Sequence, residues 1–331
     1  MLKSIVLGTG RAVPSRVVTN DDLASLMDTS DEWIRVRTGI QQRHWINEGD
    51  SGVGLGKAAA LEALAMAGES ASAIDAIIYA TSTPDHFAPG NGVFLQRELG
   101  LATIPAIDIR MQCAGFIFAL SVADAYIRSG SFRRVLVVGQ EIQSTRMEIA
   151  SSGRNTAVIF ADGAGAVLLG PSDAEGRGIE AFDLHSQGEN AEKLWAEGPS
   201  AKVRLEKWPE EIAARRFWLQ MDGREVYRHA VVRMPESVRA ALGKAQERVE
   251  DIALLIPHQA NLRISEAVQK ELGLADRQTY NNIQRYGNTT AATIPIALDE
   301  CARAGTLRSG DLVVLTAFGS GFVWGSCVLR W

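Results

Sequence analysis

The chain has 331 residues, about twice the length of a typical domain, so one large hydrophobic core or two medium ones are expected. Its hydrophobic share of 46% and its charged share of 22% are typical of a soluble globular protein. The net charge of −5 at pH 7 provides no global basic field, which argues against nucleic acid and anionic lipid as partners.

Cysteine spacing and apolar run length bear on chemistry and compartment. The three cysteines, Cys113, Cys301 and Cys327, have no paired spacing, which argues against a disulfide framework and a zinc site. The apolar run in MLKSIVLGTG is too short for a signal peptide, and no run reaches the roughly 20 residues that span a bilayer. The sequence therefore predicts a cytoplasmic protein with no metal and no membrane association.

Strands and helices alternate along the first half of the chain, which predicts an α/β fold with helices on both faces of its sheets. Asn20 is the expected N-cap of the first helix. The Gly-rich string ADGAGA at 161–166 is expected to be the turn of a hairpin. The predicted strands are 5–7, 74–80, 104–109, 135–138, 157–160 and 166–169, and the predicted helices are 21–27, 53–67, 93–99 and one that starts near Cys113.

The second half of the chain repeats this rhythm, which suggests an internal duplication. A long helix is expected over 223–245, with Pro235 as a kink or break, because proline removes a backbone hydrogen bond. Residues 188–218 have no regular period and are expected to form a long excursion near a site. The other predicted elements are the strands 252–256, 312–317 and 322–329 and the helices 264–272 and 290–304.

Cys113 lies where a predicted strand gives way to a predicted helix. This junction is the positive end of a helix dipole, which favours the thiolate and therefore a nucleophilic cysteine. The alternative is a buried structural cysteine, because free cysteine packs like a small hydrophobic residue.

Three further motifs are compatible with a catalytic site, and each has a structural alternative. His258 follows a predicted strand, where α/β sheets bind ligands, although a capping or core histidine would also lie there. Asn288 precedes a Thr-rich helix start and would serve equally well as its N-cap. The string AFGSGFVWGS at 317–326 is either a tight hairpin turn or a set of exposed backbone N–H groups. Together with Cys113, these motifs form a nucleophile, base and oxyanion constellation.

Taken together, these strings resemble the β-ketoacyl-[acyl carrier protein] synthase III family of the thiolase superfamily. The likeness extends in the family's order over nearly the whole chain, through LGTGRAVPSRVVTNDDL, TSDEWIRVRTGIQQRH, CAGF, ADGAGA, IPHQANLRI, YGNTTAATIPIALDE and FGSGFVWGS. The resemblance implies a thiolase-like α/β fold, the duplicated five-layer αβαβα sandwich. It implies an N-terminal half with the nucleophile at 1–172 and a C-terminal half with the histidine and asparagine at 173–331.

The resemblance further implies a condensing acyltransferase with Cys113, His258 and Asn288 as its catalytic triad. The enzyme would take an acyl group from acyl-CoA onto Cys113 and condense it with malonyl-acyl carrier protein or malonyl-CoA, releasing CO2. The N–H groups of Cys113 and Ser320 would form an oxyanion hole, and Phe318 would lie over the triad as an apolar wall. Such enzymes initiate fatty acid synthesis or serve specialised pathways, act as homodimers, and use thioester substrates without a cofactor.

Other positions carry over from the family as contacts to CoA and to the carrier protein. Trp33 and Arg154 match a pair that sandwiches the adenine ring, which stacking and cation–π contacts suit. A local basic patch is needed for an acidic carrier because the whole chain is acidic. The remaining matched positions are Arg37 and Asn261 for CoA or pantetheine, and Arg228, Arg263 and Lys270 for carrier docking, with a plain surface charge as the alternative for each Arg or Lys.

The sequence departs from the family pattern around the acyl pocket. Gln143 stands near a usually apolar position, and residues 81–92 differ in the segment that shapes the partner's pocket. Ser320 replaces a common glycine, of which only the N–H is needed. We therefore expect that acetyl-CoA is not the best starter and that the Gln143 amide has a hydrogen-bonding partner.

Two other hypotheses stay open at this point. One is a Cys–His–Asn acyltransferase or thioester hydrolase of secondary metabolism that forms no carbon–carbon bond. The other is a catalytically idle scaffold that binds the carrier protein. The filled triad positions count against the scaffold, and an asparagine in place of an acidic partner for the histidine favours the condensing enzyme.

Overall fold

The secondary structure alternates between strands and helices, as the hydrophobic pattern predicts. The structure is a computed structural model, and it describes residues 2–331. The strands are β1 (Lys3–Ala12), β2 (Arg16–Thr19), β3 (Gln42–Trp45), β4 (Ala76–Ala80), β5 (Ala106–Ile109), β6 (Val135–Glu141), β7 (Gly163–Ser172), β8 (Gly178–Ser186), β9 (Leu194–Trp195), β10 (Gln220–Met221), β11 (Leu254–Pro257), β12 (Leu312–Gly319) and β13 (Val323–Arg330). The helices are α1 (Asn20–Ala24), α2 (Asp31–Thr38), α3 (Gly52–Ala67), α4 (Asn91–Glu98), α5 (Gly115–Arg128), α6 (Arg154–Ala157), α7 (Trp208–Ala213), α8 (Gly223–Ala245), α9 (Leu262–Leu272), α10 (Ile283–Tyr286) and α11 (Thr293–Arg303).

The first large sheet comes from the N-terminal half, in the order β1-β7-β6-β4-β5. Strand β4 pairs in parallel with β5 and β6, whereas β7 is antiparallel to β1 and β6. Helices α3 and α4 cover its outer face. Gly8 and Gly10 of the LGTG string are needed for this packing, because a Cβ on either would lie 2.2 Å from a carbonyl oxygen of α3.

The second large sheet has the order β11-β12-β13-β8, with β11 parallel to β12 and the other pairs antiparallel. Helices α8 and α9 cover its outer face. Helices α5 and α11 lie between the two sheets and contribute Ile117 and Leu298 to a shared core with Val137 and Leu315. The layers are therefore α, β, α, β and α, which confirms the predicted five-layer sandwich.

The hairpin predicted around 161–166 is wrong. Residues 154–157 are helical, and Gly163–Ser172 is one continuous strand in the middle of a sheet. Its glycines serve packing instead of turning, because a Cβ on Gly165 would lie 2.7 Å from the Cβ of Pro295. Glycines in a sequence can therefore indicate close packing of a strand against a helix as well as a turn.

Two smaller predictions are also corrected. The hydroxyl of Thr19 caps α1 by accepting from the N–H of Asp22 at 3.1 Å, while Asn20 is buried as the first residue of the helix. Helix α8 continues without a break through Pro235. Within the part of the chain that the structure describes, no helix combines the length and the apolar character that a membrane crossing requires.

Candidate active site

Cys113 lies in a single turn of 3-10 helix, Gln112–Ala114, between β5 and α5. Gln112 has a φ of 44°, which is uncommon for a residue other than glycine and is concentrated at functional sites. The turn after β12 closes over the sulfur, since a Cβ on Gly319 would lie 2.5 Å from the Cβ of Cys113. Cys113 is therefore held between the two halves of the chain and is only 5% exposed.

The resting form of Cys113 is the thiol. Burial raises the pKa of Cys113 to about 12 and the Glu141 carboxylate adds to the rise, while the backbone N–H groups of Ser320 and Cys113 oppose it. The expected helix-stabilised thiolate is therefore wrong, because desolvation outweighs the helix start. Attack by this sulfur requires a base that takes its proton during the reaction.

His258 lies at the carboxyl ends of β11 and β12, where its backbone N–H donates to the carbonyl oxygen of Thr316 at 2.7 Å. Its ring Nδ1 is 2.7 Å from Oγ1 of Thr293. Its Nε2 is buried and has no hydrogen-bonding partner within residues 2–331. Burial lowers the pKa of His258 to about 3, so the ring is neutral near pH 7.

Thr293 determines what the free Nε2 of His258 can do. Oγ1 of Thr293 also lies 3.1 Å from the carbonyl oxygen of Thr290, so its one proton has two possible acceptors. If the proton goes to Thr290, Nδ1 carries a hydrogen and Nε2 has a lone pair that can act as a base. If it goes to Nδ1, Nε2–H is a donor. Sequence reasoning missed Thr293, for which the Thr-rich helix start was the only signal.

Asn288 presents the third reactive group. Its Oδ1 accepts from the N–H of Thr290 at 2.9 Å, while its Nδ2 donates to no atom of the described residues. The amide oxygen of Asn288 thus holds the following turn, Thr290–Ala292, while its nitrogen remains available to a substrate. Asn288 can therefore cap this turn and also act as a catalytic hydrogen-bond donor. That turn packs against Gln112–Ala114, which brings Asn288 toward Cys113.

The turn between β12 and β13 supplies the remaining wall. The Ser320 hydroxyl donates to the carbonyl oxygen of Leu194, which leaves its N–H facing the Cys113 sulfur. This contact brings the 188–218 excursion to the site, as predicted. The Phe318 ring is 4% exposed and packs 4.8 Å, centre to centre, from Phe322.

A cleft of about 320 Å³ lies near this site and includes three predicted CoA contacts. The guanidinium carbons of Arg37 and Arg154 lie 4.4 and 4.5 Å from the ring centre of Trp33, so a base that stacks on this ring must displace a guanidinium. Asn261 donates to the carbonyl oxygen of Arg37 and caps α9. The cleft is lined by Trp33, Arg37, Thr38, Asn155, Val158, Ile159, Met221, Gly223, Arg224 and Asn261.

The predicted carrier contacts differ in their pairing. Arg263 and Lys270 are exposed on α9, and neither has an ion-pair partner in the described part of the chain. Arg228 on α8 pairs with Glu225 at 2.5 Å. Arg224 also lines the cleft and was missed, because an arginine at the start of a long helix has no distinctive sequence signal.

The fold and the site define a class of protein: a two-sheet α/β enzyme with a buried cysteine, a buried neutral histidine and an asparagine whose turn packs against the cysteine turn. Models of the 3-oxoacyl-[acyl-carrier-protein] synthase III family match residues 107–188 and, for its C-terminal part, residues 242–331. The β-ketoacyl-[acyl-carrier-protein] synthase III of Brucella suis is 42% identical over 336 residues, covering 100% of both chains. The chain therefore belongs to the β-ketoacyl-[acyl-carrier-protein] synthase III family of condensing acyltransferases.

Solved structures agree with this assignment. The 3-oxoacyl-[acyl-carrier-protein] synthase III of Aquifex aeolicus is 39% identical and has a TM-score of 0.91, with 99% of this chain and 100% of that chain covered. The priming β-ketosynthase of the R1128 polyketide pathway is 32% identical with a TM-score of 0.90, covering 99% and 96%. The predicted thiolase-like fold and family are confirmed, and the hypothesis of a hydrolase without condensation is not favoured.

Proposed function

We propose that the chain condenses an acyl group from acyl-CoA with malonyl-acyl carrier protein to give 3-oxoacyl-acyl carrier protein, CO2 and CoA. The observation that carries this proposal is the packing of the Cys113 turn against the turn that Asn288 holds, together with the unpartnered Nε2 of His258 and the free Nδ2 of Asn288. A nucleophile with two neutral hydrogen-bonding groups suits a reaction that passes through an acyl-enzyme and then an enolate.

The first half-reaction transfers the acyl group to Cys113. The lone pair of His258 Nε2 takes the thiol proton while sulfur attacks the thioester carbonyl. The developing oxyanion is held by the N–H groups of Cys113 and Ser320, which face the sulfur. The bond to the CoA sulfur then breaks, and CoA leaves with the proton from His258.

The second half-reaction forms the carbon–carbon bond. Nε2–H of His258 and Nδ2–H of Asn288 donate to the thioester oxygen of the malonyl group while its carboxylate leaves as CO2. The enolate carbon attacks the acyl carbonyl, and Cys113 leaves as a thiolate that takes a proton from solvent. The apolar ring of Phe318 favours loss of the charged carboxylate as neutral CO2.

Substrate binding follows from the cleft and the surface beside it. CoA or phosphopantetheine enters along the cleft, and malonyl is delivered on the carrier protein, with malonyl-CoA as a possible substitute in vitro. The unpaired cations of α9 suit an acidic carrier. The proposed CoA contacts are Trp33, Arg37, Arg154 and Asn261, and the proposed carrier contacts are Arg228, Arg263 and Lys270.

We also propose a cytoplasmic homodimer built from two halves, 1–172 and 173–331, in each chain. Phe87 is 82% exposed and Val93 is 39% exposed, and both lie in residues 81–96, the segment that we propose forms the dimer contact. A partner chain in contact with this segment would cover both apolar side chains. Light scattering at micromolar concentration tests this, and a monomer there would contradict it.

The test of the proposed reaction is product analysis. Wild-type protein, acyl-CoA and malonyl-carrier protein should yield a 3-oxoacyl carrier and one CO2 per turnover. Cys113→Ala should yield neither, whereas the control Cys301→Ala, which removes another buried thiol, should keep the reaction. Free acid or a swapped thioester without CO2 would show an acyltransferase or hydrolase instead.

A further inference from the structure

A buried polar cluster lies beside the Cys113 sulfur. The Glu141 carboxylate is completely buried and lies close enough to raise the pKa of Cys113. It accepts from the N–H of Ser82 at 2.9 Å, the hydroxyl of Thr83 at 2.6 Å and Nε2 of Gln143 at 3.2 Å. Every partner directs a hydrogen at Glu141, which opposes the rise in its pKa, to about 7, that burial causes.

This carboxylate orients the amide of Gln143. The two hydrogens of Nε2 are used, one by Glu141 and the other by Oγ1 of Thr290 at 3.0 Å. The carbonyl oxygen Oε1 is left with no donor in the described residues, although the side chain is 95% buried, with a relative exposure of 5%. Oε1 is not completely sealed from solvent. The hydrogen-bonding partner predicted for the Gln143 amide is therefore confirmed for its nitrogen, whereas its oxygen has none among residues 2–331.

Thr290 links the Gln143 amide to the active site. Thr290, which receives the Gln143 hydrogen bond, gives its own N–H to Oδ1 of Asn288 at 2.9 Å. The Thr290–Ala292 turn packs against the turn that carries Cys113. Two hydrogen bonds through Thr290 thus connect the amide nitrogen of Gln143 with the amide oxygen of Asn288.

We propose that the acyl group loaded on Cys113 carries a hydroxyl that donates to Oε1 of Gln143. This inference rests on the proposed function and specifies its starter class as short hydroxyacyl thioesters. A starter ending in a carboxylate is disfavoured, because Gln143 has no free hydrogen to give it. A plain alkyl starter is disfavoured because it leaves the buried amide oxygen unpaired.

The experiment measures second-order loading rates by intact mass spectrometry with no malonyl substrate present. The probes are butanoyl-CoA, 3-hydroxybutanoyl-CoA, 4-hydroxybutanoyl-CoA and succinyl-CoA. In wild type, at least one hydroxybutanoyl thioester should load about tenfold faster than butanoyl, the effect of pairing one buried acceptor, and succinyl should be slowest. Gln143→Leu should reverse the order, so that butanoyl loads fastest.

Gln140→Leu is the matched control, since it removes a different buried amide, which lies in β6 and contacts Tyr79 instead of Thr290. Its ratio of hydroxybutanoyl to butanoyl rates should equal that of wild type. A ratio between two substrates on one preparation does not depend on how much of a variant has folded. Equal ratios in wild type and Gln143→Leu, or a wild type that prefers butanoyl or succinyl, would overturn the starter proposal.

These outcomes are distinguishable from failure of the proposed function. If acyl groups load and are condensed with malonyl-carrier protein but the ratios do not depend on Gln143, only the starter proposal fails. If acyl groups load and no condensation product forms with any of them, the proposed function fails.

Discussion

The two sides of the active site hold their reactive atoms by different means. On the cysteine side, backbone does the positioning: the Gln112–Ala114 turn presents the sulfur and Gly319 and Ser320 close over it. On the histidine side, threonines do it, with Thr293 on the imidazole and Thr290 on the Asn288 amide. Neither side holds a charge at rest, because burial raises the pKa of Cys113 and lowers the pKa of His258.

This difference assigns separate work to the two donors. A neutral thiol and a neutral imidazole cannot start as an ion pair, so the proton must move from Cys113 to His258 as the thioester is attacked. We therefore expect His258 to serve both acyl loading and condensation, and Asn288 to act only when the enolate forms. The dipole-activated cysteine expected from the sequence would have made His258 unnecessary for loading.

The largest effect is expected from filling the space over the sulfur. Gly319→Ala places a Cβ 2.5 Å from the Cβ of Cys113, so the sulfur or the oxyanion turn must move, and loading should fall by about 10²-fold or more. Intact mass spectrometry after mixing with acyl-CoA measures this. Gly243→Ala is the control, because its added Cβ meets no atom within 4 Å. Normal loading by Gly319→Ala would show that this turn is not closed on the cysteine.

A smaller effect is expected from removing the hydroxyl that holds His258. Thr293→Val keeps the shape but leaves Nδ1 without its partner, so condensation should slow about tenfold and its pH profile should change. Thr293→Ser should restore most of the rate. Thr289→Val removes a neighbouring buried hydroxyl that bonds to nothing in the described residues, and should act like wild type. Equal losses in all three variants would indicate a packing effect.

The neutral state of His258 also predicts a pH-dependent stability. Its pKa is lowered from 6.5 to about 3 in the folded chain, so below pH 6.5 only the unfolded chain takes up this proton. As the pH falls from 6.5 to 3, this residue should therefore lower the free energy of unfolding by up to about 1.4 kcal/mol per pH unit. Burial raises the pKa of Glu141 to about 7, so this group makes the folded chain more stable as the pH falls. Its contribution is the same in wild type and in a His258 variant, so it cancels when the two are compared.

Urea unfolding of wild type and His258→Asn at pH 7, 6 and 5 measures the difference. The variant lacks the titrating ring, so its stability should decline less toward acid. Parallel pH dependences would mean that His258 is protonated in the folded protein.

The smallest effect is expected at Ser320. Ser320→Gly keeps the N–H that faces the sulfur and removes only the hydroxyl that donates to the Leu194 carbonyl. Loading should stay within about threefold of wild type, since the oxyanion contact comes from the backbone. A loss as large as that of Gly319→Ala would show that the hydroxyl anchor, and with it the 188–218 excursion, positions the oxyanion hole.

The alternation of strands and helices predicted an α/β fold with helices on both faces of its sheets, and the small-residue string predicted the turn between the last two strands. The five-layer order came from the family resemblance. The sequence also placed Cys113, His258 and Asn288 at the junctions where the structure has them. It did not reveal the raised pKa of Cys113. A helix start can be recognised from neighbouring residues, whereas the burial that raises this pKa depends on Gly319 and other residues of the second half of the chain. Thr290 and Thr293 were missed for a related reason: their partners lie across a fold that local pattern does not show.

Acyl loading by His258→Ala and Asn288→Ala, compared in a single turnover, tests the central claim most directly. We expect Asn288→Ala to load at a rate close to wild type and His258→Ala to load about 10²-fold more slowly, because only the histidine takes the thiol proton. Condensation should be impaired in both. Loading that is equally fast in the two variants would contradict a neutral cysteine that depends on His258, and would restore the dipole-activated thiolate.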